Sequence, residues 1–375
     1  MKTRSMISAA IAAAVVMLAA QSPVRAQTAG EVTIGAIIPL TGAGAQYGAR
    51  MRQGIELAVE QINKAGGVKG AKLNVAYADT GDQPSNGPTA LRRFKQFNDI
   101  AYTLISNSNV TLATIPVAAE LKVVLMNGGG QSDRLLGASP WLFSNIPATS
   151  YETRAIAEWA AKNLGKSAIV SYQTDPVGQS ALAGWNKFYG EAGGKAVASE
   201  SVTFEQGDYR SIVTKLRASA DKANVWFIGG TYGEDAKRLI TQARSLGLAT
   251  PIVCTALTVA TIEKDNPILR GIVHTQLVSQ PKPEFVAAFK AKYGSEPEYY
   301  NAAYYNGVMI FARAWERAAE KGYGKDGDAI RRAIDEVRTY DLPGGKVEFN
   351  SQNSTVSGLE IVQVQDNGER KVLPN

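Results

Sequence analysis

Two periods of apolar residues take turns along this chain. Val32–Ile38 is a continuous apolar run of strand type, and Tyr47–Lys64 then carries Met51, Ile55, Ala58 and Ile62 on one helical face. Ala65-Gly66-Gly67 ends that helix, glycine tolerating the left-handed conformation there. Leu73–Ala78, Ala101–Ile105 and Val123–Met126 read as further strands. Between them lie a helix opened by Pro88 and marked by Leu91, Phe94 and Phe97, and a second over Thr111–Leu121. The pattern restarts after Pro147. Helices are predicted over Glu152–Asn163, Gln179–Tyr189, Tyr209–Ala220 and Glu234–Leu246. Strands are predicted over Ser167–Tyr172, Val197–Phe204, Asn224–Ile228, Pro251–Thr255 and Gly271–Leu277. Strands separated by helices imply right-handed βαβ units and parallel sheets covered on both faces. The fold class is therefore α/β, with two doubly wound blocks of similar size.

The C-terminal part breaks the alternation. Glu284–Tyr293, Tyr300–Lys321 and Asp326–Val337 are helical, and Lys346–Phe349 and Gly358–Val364 are short strands. Three helices without strands cannot form a separate α/β lobe, so they complete an existing one. At least one domain is then discontinuous.

Composition narrows the class. The 375 residues include 36 glycines, one cysteine (Cys254) and one histidine (His274). An internal disulfide, a CxxC pair and a Cys/His zinc cluster are excluded. The first 26 residues read as a cleaved secretory leader. Lys2 and Arg4 precede an apolar run from Ile7 to Ala20, and Val24-Arg25-Ala26 supplies the cleavage site. The run falls short of the roughly 20 residues a membrane span needs. No cysteine near the cleavage point offers a lipid anchor. Without Lys2, Arg4 and Arg25, 37 of the 40 basic residues face 34 acids, so the net charge falls from +6 to +3. The bases are scattered, which argues against nucleic acid as a partner.

Candidate chemistry gathers in three loops at the carboxyl ends of strands: Thr41–Tyr47, Ser106–Asn109 and Asn127–Ser132. In open parallel sheets ligands bind at such ends, where exposed N–H groups and helix dipoles favour an anion. Competing motifs are missing. Gly42-x-Gly44-x-x-x-Gly48 has the wrong spacing for a dinucleotide fingerprint, and no phosphate loop, GxSxG, HExxH or calcium loop occurs. No cofactor, metal site or catalytic constellation is predicted. Asp326-Gly327-Asp328 reads as a helix cap. His274 and Cys254 read as structural residues of apolar strands, and Tyr299, Tyr300, Tyr304 and Tyr305 as packing.

Certain segments carry a resemblance. Val32-Thr33-Ile34-Gly35, Pro39-Leu40-Thr41-Gly42, Tyr47-Gly48, Ile62-Asn63 and Gly66-Gly67-Val68-Lys69-Gly70 are similar to the opening of the leucine/isoleucine/valine-binding protein family. These are type I periplasmic solute-binding proteins of ABC importers. Gly229-Gly230, Gln242–Leu248 and Gly345–Asn350 fit the family's later segments. The resemblance implies two lobes joined by three crossovers, near Ile146–Ser150, Leu277–Pro281 and Lys346–Asn350. Lobe 1 would span 27–147 plus 280–346, and lobe 2 would span 148–279 plus 347–375. It also implies a periplasmic monomer that closes on its ligand by hinge motion and is read by membrane permease subunits.

Carried over residue by residue, the resemblance places a ligand carboxylate on Asn107, with Ser108 as its neighbouring alternative, and on the main chain of Gly128 and Gly130. Tyr47 would pack against the ligand's apolar part, and Tyr151 joins the ligand contacts. Amino-acid-binding members hold the α-ammonium with two tyrosines and a glutamate. Here Val177, Thr231 (with Tyr232 beside it) and Ala256 stand at those positions, and Asp175 is the nearest acid. Gly81 and Ser106 stand where some members have a disulfide. The expected ligand is therefore a small aromatic or aliphatic acid without an α-ammonium. A true branched-chain amino-acid binder is the first alternative. An exported enzyme would need His274 in the cleft beside a serine, and a ligand-sensing regulator is the third reading.

Overall fold

The computed structural model describes residues 30–42, 44–260, 262–263 and 265–374. The predicted leader lies outside them. Among the described residues no helix is long and apolar enough to cross a membrane.

β1 (Glu31–Ile38) is buried on both faces, as its unbroken apolar run requires. It pairs in parallel with β2 (Lys72–Asp79) and β3 (Tyr102–Ile105); β4 (Val124–Asn127) and β5 (Leu142–Ser144) extend the sheet in the order β2-β1-β3-β4-β5. α1 (Ala45–Lys64) lies on one face, while α2 (Asn86–Asn98) and α3 (Ser108–Leu121) cover the other. Leu91 and Phe94 of α2 are buried as expected, but Phe97 is 72% exposed, because each three-residue step drifts by about 60° and the second carries it off the buried face. The helices α9 (Pro283–Tyr293), α10 (Tyr299–Lys321) and α11 (Gly327–Val337) return to this lobe and share a core with α1. α10 crosses α1 closely: a Cβ on Gly54 would stand 2.2 Å from the Asn301 carbonyl oxygen. Tyr102 and Tyr304 tie α10 to the sheet, donating to Gly307 O at 2.6 Å and Ile105 O at 2.8 Å. Asp326 caps α11, accepting from Ala329 N at 2.9 Å.

The second sheet runs β14-β13-β10-β9-β8-β6-β7. Its members are β6 (Ser167–Gln173), β7 (Lys195–Val202), β8 (Val225–Gly229), β9 (Ile252–Cys254), β10 (Val273–Val278), β13 (Gly358–Val364) and β14 (Arg370–Leu373). β6 to β10 are parallel; β13 and β14 add on antiparallel, so this sheet is mixed. α4 (Thr149–Asn163) and α5 (Pro176–Glu191) pack one face, where Trp185 stacks on Phe227 at 4.2 Å. α6 (Arg210–Arg217) and α7 (Gly233–Ser245) pack the other. A one-turn helix, α8 (Ala256–Val259), follows β9.

The first two passages between sheets follow β5 and β10. The third lies further along than expected. β11 (Thr339–Leu342) and β12 (Gly345–Glu348) form a hairpin whose Tyr340 and Val347 enter the first core, together with Phe349. The chain then folds back on β5: Ser144 N donates to Asn353 O (2.8 Å) and Thr355 N to Ser144 O (3.0 Å). The passage to β13 therefore falls at 356–357 instead of Lys346–Asn350, because a turn around the Asn350 side chain holds 350–355 against the first sheet.

The parallel part of the second sheet, β7-β6-β8-β9-β10, repeats the order of the first. Each sheet thus has a switch point, at β1/β3 and at β6/β8. There the loops leave toward opposite faces and open a crevice.

Candidate functional site

The two crevices face each other across a space of about 40 Å³. From the first sheet come Tyr47, Met51, Ser106, Asn107, Ser108, Asn109, Gly129 and Gln131. From the second come Asp175, Val177, Tyr232 and Leu257, with Tyr300 of α10 beside them.

On the first side the loop after β3 is fixed from β2. Asn107 Nδ2 donates to Asp82 Oδ1 at 2.6 Å, and its Oδ1 accepts from Thr80 Oγ1 at 3.1 Å. These bonds hold Asn107 at φ 63°, ψ 126°, a costly backbone setting for a residue with a Cβ. α3 starts immediately after it. Its first-turn N–H groups have no carbonyl one turn back, so the helix end favours negative charge. Val110 N is capped by Asn109 Oδ1 at 2.8 Å, and Ser108 Oγ accepts from Ser132 N at 3.0 Å.

The loop after β4 differs from expectation. Gly128 N donates to Ile105 O at 3.3 Å, and Gly130 N donates to Asn127 Oδ1 at 2.7 Å. Both main-chain donors expected to meet a carboxylate are bonded within the protein, and Gly128 faces Tyr304 and Asn145. The cavity is lined instead by the alternate residues, Gly129 and Gln131. A Cβ on Gly129 would stand 2.3 Å from Ser106 Oγ, so glycine lets the loop close on β3.

On the second side Asp175 caps α5, its Oδ1 accepting from Gly178 N at 2.8 Å. Burial pushes its pKa up to about 6 against the helix N–H groups, and the charge of Asp82 adds to the rise. Asp82 is raised too, by burial first. Val177 and Tyr232 are buried against the cavity. Tyr47 stands edge-on to Tyr232 at 5.9 Å and to Tyr300 at 5.2 Å, giving an aromatic wall. Thr231, Ala256 and Tyr151 are not brought to this space. Thr231 is fully buried, Ala256 lines the neighbouring hollow instead, and Tyr151 is at the surface, donating to Ser357 O at 3.0 Å.

Sequence reasoning missed four residues. Asp82 lies in a connection and Leu257 in the one-turn α8, neither in any motif, and the spacing of Tyr300 on its helix points to packing. Glu152 of α4 is the fourth: fully buried, its carboxylate accepts from Gln131 Nε2 (2.7 Å), Ala256 N (3.0 Å) and Thr275 Oγ1. Burial raises its pKa, opposed by those three donors. The Glu152 carboxylate thus reaches the Ala256 main-chain N–H from another helix, without lining the space itself. None of the cavity-lining residues is a lysine or arginine.

The lobes also touch directly. Tyr47 Oη donates to Leu257 O (2.8 Å), Arg50 to Ala260 O (2.9 Å), and the Ser132 and Ser180 hydroxyls meet at 3.0 Å. Cys254 is buried and free, so no disulfide forms near Gly81 and Ser106. His274 Nδ1 is bonded to Thr275 O at 2.7 Å, and burial lowers its pKa to about 4, a poor setting for a general base.

Residues 31–369 match the family model described as periplasmic binding protein. The Leu/Ile/Val-binding protein homolog 1 of Brucella abortus is 24% identical over 333 residues, covering 86% of this chain and 87% of that protein. Among solved structures, the branched-chain amino acid transporter substrate binding protein LivJ of Streptococcus pneumoniae, in complex with isoleucine, aligns with a TM-score of 0.80 at 20% identity, over 92% of this chain and 99% of that one. A solute binding protein of an ABC transporter from Rhodopseudomonas palustris, in complex with 3,4-dihydroxy benzoic acid, aligns with a TM-score of 0.76 at 22% identity, over 89% and 93%. With two doubly wound lobes, facing switch points and this match over nearly the whole described chain, the protein belongs to the type I periplasmic binding proteins of the leucine/isoleucine/valine-binding family.

Proposed function

We propose that this protein is the extracytoplasmic solute-binding component of an ABC importer of the branched-chain-amino-acid type. It captures a small acid by hinge closure and presents the closed form to membrane permease subunits. It is a binding protein, not an enzyme. The observation that carries the reading is the space where both switch points converge, with the α3 N-terminus on one side and Asp175 on the other.

The charges favour a ligand with two heads. A carboxylate is suited to the first-turn N–H groups of α3 beside Ser108. No cation lines the space, while Asp175 and Asp82 stand near it as part-buried carboxylates that accept hydrogen bonds from Gly178 N and Asn107 Nδ2 but have no ion-pair partner among the described residues. An acid without an ammonium would bring a third negative charge to them, whereas an α-ammonium would offset the two already there. The apolar part of the ligand would lie against Tyr47, Tyr232, Val177 and Leu257. The reading is an apolar α-amino acid, in place of the ammonium-free acid expected from Val177 and Ala256. Two or three charge-assisted hydrogen bonds of about 1.5–3 kcal/mol each, plus burial of the apolar part, reach the roughly 8 kcal/mol of micromolar binding.

A second reading keeps the ammonium-free acid. It rests on the aromatic wall and on a carboxyl at Asp175 that takes up its proton near pH 6. A calorimetric panel of branched-chain and aromatic amino acids against the matching deaminated acids separates the two. Micromolar binding confined to the amino acids supports the first reading, and binding confined to the acids supports the second. Binding of neither removes the solute-capture role for this cleft.

A further inference from the structure

The head-group space does not end the cleft. A chamber of about 500 Å³ adjoins it, and Gln131, Leu257 and Tyr300 form a wall common to both. The chamber lies between the lobes and is built by both. Arg50, Glu298 and Tyr299 come from the first; Val259, Ile262, His274 and Arg370 come from the second.

The charges of the chamber are unevenly satisfied. Glu298 is engaged by Arg50 at 3.3 Å and by the capping of α10. Glu263 is engaged by Lys237 at 3.3 Å. Glu152, behind Thr275 and Ala256, has both oxygens bonded. The half-buried guanidinium of Arg370, on β14, makes no hydrogen bond or ion pair among the described residues. At the same end His274 is 1% exposed and its Nε2 has no hydrogen-bond partner among the described residues. Nδ1 faces a carbonyl oxygen and so carries the proton, which leaves Nε2 an acceptor. A guanidinium without a hydrogen-bond partner, in the field of Glu298, and an unmet acceptor therefore share one chamber, and the buried acceptor is costly when left without a partner.

We propose that the natural ligand is longer than a branched-chain amino acid. Its head sits between α3 and Asp175, its apolar chain passes Leu257 and Tyr300, and a second carboxyl-type group at its far end, carboxylate or carboxamide, is received by Arg370 beside His274. This rests on the head-group reading above. A distal carboxylate pairs with the guanidinium through two parallel bonds. A distal carboxamide offers its oxygen to Arg370 and an N–H to His274. Passage requires the Leu257 and Tyr300 side chains to part.

The test is calorimetry on the full chain with ladders of straight-chain acids, each rung one methylene longer. The ladders end in methyl, carboxylate or carboxamide, and each is made with and without an α-amino group. The expected result is that beyond a threshold length the carboxylate- or carboxamide-ended members bind at least about tenfold tighter than the methyl-ended member of equal length. Arg370→Gln should erase that gain and leave the methyl-ended series unchanged. Methyl-ended members binding equally well, or a gain that survives Arg370→Gln, overturns the distal site while leaving the head-group reading intact. Failure of every ladder to bind removes both.

Discussion

Asp175 carries the most informative charge in the cleft. Its carboxyl rises from 3.8 to about 6 because burial penalises the anion more than the α5 N–H groups stabilise it. The folded protein therefore holds the proton more tightly than the unfolded chain does. The ionised form costs stability above about pH 6, and the cost fades as pH falls toward 3.8. Asparagine keeps an oxygen for the helix cap and removes the charge. Asp175→Asn is thus expected to melt higher than the native protein at neutral pH in the absence of ligand. The gap should close between about pH 6 and 3.8, as followed by circular dichroism. A gap independent of pH would mean that the carboxylate is not the source. Asn107 shows the same economy: its strained backbone is held by Asp82 and Thr80, two residues of the neighbouring loop.

At the scale of elements, α4 and β10 are joined across the second sheet by one buried carboxylate. Thr275→Val removes a donor to Glu152 without changing shape, and should cost about 1.5–3 kcal/mol in denaturant unfolding, as expected for a lost bond to a charge. A loss below about 0.5 kcal/mol would mean that Glu152 is protonated and indifferent to that donor. This joint could not be read from the chain. Glu152, Thr275 and Ala256 are far apart in sequence, and none sits in a motif. The long elements were legible because their patterns are long: α1 and α10 each repeat one face over several turns, and β1 is an unbroken apolar run. β5 has three residues and shows no period, and the antiparallel β13 and β14 look locally like any other strand. The loop after β4 was located correctly but one residue out of phase. Gly129 and Gln131 line the cleft where Gly128 and Gly130 were expected, because Gly128 N is taken by Ile105 O and the Asn127 side chain gathers both Gly129 N and Gly130 N. The switch points at β1/β3 and β6/β8 follow from the order of strands and helices, which led to the first-lobe loops holding Tyr47, Asn107 and Ser108; Asp175, Val177 and Tyr232 were pointed to only by the family resemblance, and all six line the same space. Asp82 was not found, because its link to Asn107 is made only in the folded chain.

Across the whole molecule, closure rests on a few polar bridges between the lobes. Tyr47 and Arg50 of α1 both donate to carbonyls of the α8 turn, Leu257 O and Ala260 O, which a one-turn helix leaves unsatisfied. These bonds exist only when the lobes meet, so they add to the preference of the ligand for the closed state. Tyr47→Phe keeps the aromatic wall and deletes one bridge. Small-angle scattering should then show a larger ligand-free radius of gyration, and affinity should fall about two- to tenfold, the value of one neutral hydrogen bond. An unchanged radius together with unchanged affinity would mean that the bridge plays no part in closure.

The central claim is that the second lobe neutralises a ligand ammonium through Asp175 while α3 receives the carboxylate. Calorimetry of leucine and its deaminated counterpart isocaproate, on the native protein and on Asp175→Asn, addresses it most directly. The account predicts that the native protein prefers leucine, and that the substitution weakens leucine by about tenfold or more while leaving isocaproate unchanged. Isocaproate binding as tightly as leucine, or leucine indifferent to Asp175→Asn, would contradict it.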